Sequence, residues 1–164
     1  MAARKIKRSE QLPAPSPYML LVRLALGGMG AVFLGFRKGT AGPLLAIKRL
    51  HPHLAEETSF RKMFVAEARL AARIRDPHAV GVIDVLETDG ELLMVMNYVE
   101  GATLAELITA AGDAGRKLSA AVAIRIVLDA ACGLHAAHEL RGDDGCTLGL
   151  VHRDVSPQNV LVSI

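Results

Sequence analysis

Apolar residues in the first half of the chain come in short runs separated by glycine, proline and acidic residues. Tyr18 to Leu26 is apolar and extended, and Ala31 to Arg37 alternates well enough for a second strand. Gly27-Gly28-Met29-Gly30 joins them as a hairpin. Leu44 to Arg49 predicts a third strand whose apolar run is interrupted by Lys48. Ser59 is placed to cap a helix from Phe60 to about Ile74, with Phe60, Phe64, Ala68 and Ala71 recurring on one face. Asp76-Pro77 stops that helix, because a proline disfavours the α conformation in the residue before it. Val80 to Glu87 and Glu91 to Tyr98 then form a hairpin around Asp89-Gly90.

The second half reads as helical. Thr103-Leu104-Ala105-Glu106 is a capping box opening a short helix, and Gly112 to Lys117 is a loop. Ser119 caps a long helix to Leu140, with Val122, Ile126 and Leu128 among its buried positions. Arg125, Asp129, His135 and His138 break its apolar run, which predicts a helix buried in protein and not a membrane span. His135 and His138 have helical spacing but no evident acid or thiol partner, so core packing is preferred to a metal site. Gly142 to Gly149 is a surface loop. There are no repeats.

Composition narrows the function classes. At 164 residues and 51% hydrophobic, the chain is long and apolar enough for one domain with a core. A net charge of +2 and an aromatic share of 4% argue against nucleic acid as a partner. Cys132 and Cys146 form no C-x-x-C pair, which predicts buried structural thiols in a reduced, cytoplasmic interior. Residues 1–17 read as a flexible basic leader: Lys and Arg near the start are followed by Pro13, Pro15 and Pro17 and no apolar signal core.

Three stretches carry chemistry. Without Cβ atoms, the glycines of the first hairpin let backbone approach a ligand closely, and N–H groups exposed there can hold phosphate oxygens. Lys48 is a point cation on a long stem, able to reach from a strand to a polyphosphate or to snorkel to water. Near the end, two apolar runs bracket the polar loop His152-Arg153-Asp154-Val155-Ser156-Pro157-Gln158-Asn159. Asp154 can take a proton from a hydroxyl, and the Asn159 carbonyl oxygen can ligate a hard cation such as Mg²⁺.

That last string resembles the protein kinase catalytic loop, H-R-D-x-x-x-x-N, with His152, Arg153, Asp154 and Asn159 all matching. Ala25-Leu26-Gly27-Gly28-Met29-Gly30-Ala31-Val32 resembles the kinase glycine loop, with Ala25 in place of its first glycine. Ala46-Ile47-Lys48 is similar to the family's V-A-I-K strand, Glu67 fits the glutamate of the following helix, and Tyr98-Val99-Glu100-Gly101 looks like the hinge. These parts occur in the family's order, and the Gly-Gly-Met-Gly wording is similar to bacterial kinases of the eukaryotic type.

The resemblance implies an α+β, protein kinase-like fold. Residues 18–98 would be a five-stranded antiparallel small lobe with one helix, and 99–164 the hinge and first part of a mainly helical large lobe. It implies an ATP- and Mg²⁺-dependent kinase acting on Ser or Thr hydroxyls of a protein substrate. Leu24 to Val32, Ala46, Lys48 and the gatekeeper Met96 would bind ATP, with the backbone of Asn97 and Val99 on the adenine edge. Glu67 would orient Lys48, Asp154 would deprotonate the acceptor, Asn159 would ligate one Mg²⁺, and Arg153 would brace the loop or pair with a phosphate. Two departures stand out. Ser156 occupies the position where Ser/Thr kinases usually carry a lysine on the γ-phosphate, and Ile164 comes before any Asp-Phe-Gly. The expectation is therefore a kinase domain cut after its catalytic loop, with a catalytically inactive nucleotide-binding or interaction module as the alternative.

Overall fold

A computed structural model of the chain describes residues 16–88 and 90–163. The leader expected over residues 1–17 lies outside them except for Ser16 and Pro17, and so does Asp89 of the second hairpin. The chain forms two compact units. One holds the residues up to 72 together with Gly81–Tyr98; the other holds Arg73–Val80 and the residues from 99 onward.

The first unit is built on a five-stranded antiparallel sheet of β1 (Tyr18–Leu26), β2 (Gly30–Arg37), β3 (Leu45–Leu50), β4 (Val82–Thr88) and β5 (Glu91–Asn97), in the order β1-β2-β3-β5-β4. Because side chains alternate across a strand, β5 feeds two cores at once. Leu93 and Val95 join Tyr18, Leu20, Ala31, Phe33, Leu45 and Ile47 on one face. Leu92 and Met94 join Leu50, Ala55, Phe64 and Ala68 on the other. The second group is the sheet's contact with α1 (Pro52–Glu56) and α2 (Thr58–Ala71), whose buried Phe64 and Ala68 lie one turn apart. Full burial of an aromatic such as Phe64 stabilises by roughly 1.5–3 kcal/mol.

The register of β1 on β2 shifts between Leu20 and Val22 and again between Arg23 and Ala25. Such bulges sharpen the twist of a strand. The curvature lets the two edge strands meet: the Tyr18 hydroxyl donates to Asp84 Oδ2 at 3.0 Å. Burial pushes the Tyr18 phenol above its ordinary pKa, and the bond to Asp84 adds to the shift.

Local differences from the sequence reading have identifiable causes. Ser59 is not the cap of α2. Pro52 at the first helical position opens α1, and α2 follows almost at once with Glu57 as its N-cap and no side-chain cap bond. Helix α2 ends at Ala71 and β4 begins at Val82.

In the second unit, β6 (Gly101–Thr103) pairs antiparallel with β7 (Leu161–Ser163), a ladder that the apolar pattern does not reveal. It leads into α3 (Leu104–Asp113), so Gly112 is helical and not the start of a loop. The capping box is complete: Glu106 N–H donates to Thr103 Oγ1 at 3.2 Å, and Thr103 N–H donates to the Glu106 carboxylate at 2.9 Å. Ser119 caps α4 (Ala120–His138) by accepting from Val122 N–H.

Helix α4 is not the buried helix that its composition suggests. Gly133 is its one buried residue, pressed against the His78 carbonyl so closely that a Cβ would overlap it. Val122 and Leu128 are 47% and 57% exposed. A helix apolar on most sides needs partner surfaces on most sides, and about half the surface of these two residues is left uncovered. By length and composition α4 is apolar enough to cross a membrane. Cys132 on α4 and Cys146 are both free and exposed, contrary to the expected buried thiols. His135 and His138 are exposed as well, contrary to the core packing expected of them.

Candidate functional site

In the first unit, the glycine hairpin and Lys48 are neighbours by register. Ala25 faces Val32 and Leu26 faces Ala31 across β1 and β2, with Leu24 just before them. Val32 in turn faces Lys48 across β2 and β3, and Ala46 faces Met96 across β3 and β5. Directly opposed residues share a face, so Val32, Ala46, Lys48 and Met96 all lie on the α2 side of the sheet. Asn97 ends β5, and Val99 begins the second unit.

The hairpin's glycines have different reasons. Gly30 is buried against β3, where a Cβ would overlap the Arg49 carbonyl; it is glycine for packing. Gly28 has open space where a Cβ would stand. Gly27 N–H donates to Gly30 O at 2.9 Å and closes the turn. The N–H groups of Gly28 and Met29 donate to nothing among the described residues. Adjacent free N–H groups in a turn are the donor set an anionic oxygen requires. The site thus fits phosphate by its donors.

Lys48 and Glu67 are not brought together. Glu67 is exposed on α2 and makes no ion pair with Lys48. The Lys48 ammonium instead lies 5.8 Å from the Phe64 ring centroid, a cation over an aromatic face. The step of one residue between Glu67 and buried Ala68 turns the carboxylate off the packed face of the helix.

In the second unit, the polar loop is a small hydrogen-bonded cluster. Asn159 Nδ2 donates to Asp154 Oδ2 at 2.9 Å and to the Asp154 carbonyl at 3.0 Å. Asn159 N–H donates to Ser156 O at 2.9 Å. Asp154 N–H donates to His152 Nδ1 at 3.3 Å, which makes Nδ1 the acceptor nitrogen of that ring. Arg153 between them has φ 62°, the only non-glycine residue with positive φ among those described. A left-handed arginine is held there by its surroundings. With Nδ2 donating to the carboxylate, Asn159 Oδ1 is the acceptor that the amide keeps. A neutral amide oxygen beside a carboxylate is the oxygen donor set a hard cation takes, so the residues fit Mg²⁺.

Helix α3 anchors this loop in a way the sequence reading missed. A helix leaves its first N–H groups without intrahelical partners. Here Leu104 N–H donates to Val160 O at 2.8 Å and Ala105 N–H donates to Pro157 O at 3.0 Å, while Glu106 N–H goes to Thr103. The β6–β7 ladder ties the loop's far end to the same point. Gly101 is the only residue type that fits there, because a Cβ would overlap the Val162 carbonyl. No local signal marks Leu104 or Ala105; the contact is between backbone groups far apart in sequence.

Comparison with known proteins bears on both clusters. The family model described as protein kinase domain matches residues 18–164. Tyrosine-protein kinase MasK of Myxococcus xanthus is 37% identical over 149 residues, covering 90% of this chain and 23% of the relative. Serine/threonine-protein kinase PkaB of Streptomyces coelicolor is 36% identical over 141 residues, covering 86% of this chain and 30% of the relative. The crystal structure of the Mycobacterium tuberculosis PknI kinase domain has a TM-score of 0.71 at 32% identity, covering 90% of this chain and 56% of that one. The chain therefore spans less than a third of these curated relatives and about half of the solved domain.

Proposed function

The chain belongs to the protein kinase domain family, and from that premise we propose that it serves ATP-dependent phosphoryl transfer to Ser or Thr hydroxyls of a protein. The observation that carries this reading is the Asp154 carboxylate, exposed to solvent yet fixed in orientation by Asn159. Phosphoryl transfer asks for positioning and charge neutralisation more than covalent chemistry from the protein. Asp154 aligns the acceptor hydroxyl and takes its proton as the oxygen bonds to the γ-phosphorus and the bond to the bridging oxygen of the leaving diphosphate breaks. The Gly28 and Met29 N–H groups hold phosphate oxygens, and Lys48 adds a cation. Leu24 to Val32, Ala46 and Met96 enclose the nucleotide, and the backbone of Asn97 and Val99 bonds the adenine edge. Asn159 Oδ1 would hold a Mg²⁺, which would supply charge neutralisation at the phosphates. Arg153 braces the loop.

A second reading, nucleotide binding without transfer, is favoured by the separation of Glu67 from Lys48 and by Ser156 in place of a lysine. One experiment separates the two. ATP titration of the wild type and Lys48→Met is followed by incubation with radiolabelled ATP and generic protein acceptors, with Asp154→Asn as control. The kinase reading expects Lys48→Met to weaken ATP binding and label to appear only with Asp154 intact. Binding without label supports the second reading; ATP binding unchanged by Lys48→Met refutes both. Phosphoamino-acid analysis of the label reads the acceptor, with phosphotyrosine overturning the Ser/Thr assignment.

A further inference from the structure

We infer that His51 is a positioning residue for nucleotide phosphates, tying the glycine hairpin to the strand that carries Lys48. This rests on the phosphotransfer reading above and adds to it a residue outside the family motifs quoted for this chain. His51 directly follows Leu50, the last residue of β3. From there it makes two bonds to the hairpin. Its backbone N–H donates to Met29 O at 3.0 Å, and its ring Nε2 lies 2.9 Å from Gly27 O. A carbonyl oxygen only accepts, so Nε2 carries the proton in this bond. The two accepting carbonyls flank Gly28, whose own N–H is one of the two free donors.

The arrangement bears on the hairpin's mobility. A Cβ on Gly28 would meet nothing within 4 Å, and glycine has the widest backbone freedom of any residue. Outside the strands, the turn is held by the Gly27–Gly30 bond and by His51. Three features restrain His51 itself. Its ring stacks on that of His53, with centroids 5.6 Å apart and planes 14° from parallel. It is the N-cap residue of α1 in extended conformation. Pro52 follows it and keeps it out of the α region. A rigid residue is thus bonded to a loop of high intrinsic freedom, directly after the strand that carries Lys48. Preorganising the donors before the ligand arrives lowers the ordering cost of binding.

The test uses the full chain as wild type, His51→Ala and His51→Gln. Glutamine places an amide N–H at about the reach of imidazole Nε2 and serves as the rescue. Without nucleotide, amide hydrogen exchange of the segment 26–31 should quicken about three- to tenfold in His51→Ala, the span of one net hydrogen bond. Exchange in β4–β5 should not change, and His51→Gln should return the hairpin toward wild type. The dissociation constant for ATP should rise by a similar factor in His51→Ala, while that for adenosine, which has no phosphates, stays the same. Hairpin exchange unchanged in His51→Ala, or equal losses of ATP and adenosine affinity, overturns the inference while ATP binding by the wild type leaves the kinase reading intact. If His51→Ala fails to fold, His51→Gln decides: wild-type exchange and ATP affinity support the donor role, and a loose hairpin in a folded His51→Gln protein refutes it. A wild type that binds no ATP overturns the kinase reading and this inference together.

Discussion

Asn159 holds Asp154 twice, through its carboxylate at 2.9 Å and through its carbonyl at 3.0 Å. The amide therefore sets both where the carboxylate points and how the loop backbone turns before it. Asn159→Ala should free the Asp154 carboxylate to rotate and remove the candidate cation ligand. Misplacement of a catalytic group by about 1 Å costs on the order of a hundredfold in rate. The expected outcome is a kcat lowered by about that factor with the melting temperature little changed. Asn159→Asp should be as harmful, because it sets two carboxylates against each other.

The hairpin's glycines should separate by stability. Gly30→Ala forces a Cβ into the Arg49 carbonyl and should cost about 1–3 kcal/mol, the range of overpacked positions. Gly28→Ala meets nothing within 4 Å and should stay within about 0.5 kcal/mol of wild type. Urea denaturation midpoints of the two variants check this. Equal midpoints would refute the packing role assigned to Gly30.

Tyr18 predicts an alkaline weakness. Its phenol is held above the ordinary value of 10.0, first by burial and then by the Asp84 bond. The fold therefore prefers the protonated form. That stabilisation is fully present below pH 10.0, where the unfolded phenol is also protonated, and is lost as pH rises through the folded-state value. Tyr18→Phe should cost about 1 kcal/mol at neutral pH by removing the bond to Asp84. Between about pH 9 and pH 11 its melting temperature should fall less than that of the wild type, since no phenol remains to ionise. Parallel melting curves for the two proteins across that range would contradict the assignment.

The Thr103 cap should matter beyond its own helix. Thr103→Ala removes the acceptor for Glu106 N–H and should destabilise by about 1 kcal/mol, with Thr103→Ser near wild type. Because the next-door N–H groups of Leu104 and Ala105 hold Val160 and Pro157, fraying of this turn should also raise amide exchange across 154–160. Proteolysis or exchange mass spectrometry reads the coupling, and an unaffected loop would exclude it.

Much of this architecture is written in short-range signals. The alternating runs marked β1, β2, β3 and the β4–β5 hairpin to within a residue or two, because a strand's period of two is visible without a partner. Thr103 with Glu106 and Ser119 announced their helices, because a cap reaches no further than three residues. Ser59 failed as a cap because a neighbouring Pro52 helix moved the start of α2, a competition between two local signals.

By itself, then, the sequence determined the five strands of the first sheet and the stretches that form α2, α3 and α4, though not α1 or the β6–β7 ladder, together with where the glycine hairpin turns and which polar residues share one loop. Only the tertiary structure decided that Asn159 grips Asp154, that His51 reaches back to Gly27, that Glu67 stands apart from Lys48, and that most of α4 is left uncovered. Backbone propensity and caps act over a few residues and can be read one window at a time. Burial and hydrogen bonds between distant residues depend on which surfaces the folded chain brings opposite one another, and no single window contains both partners.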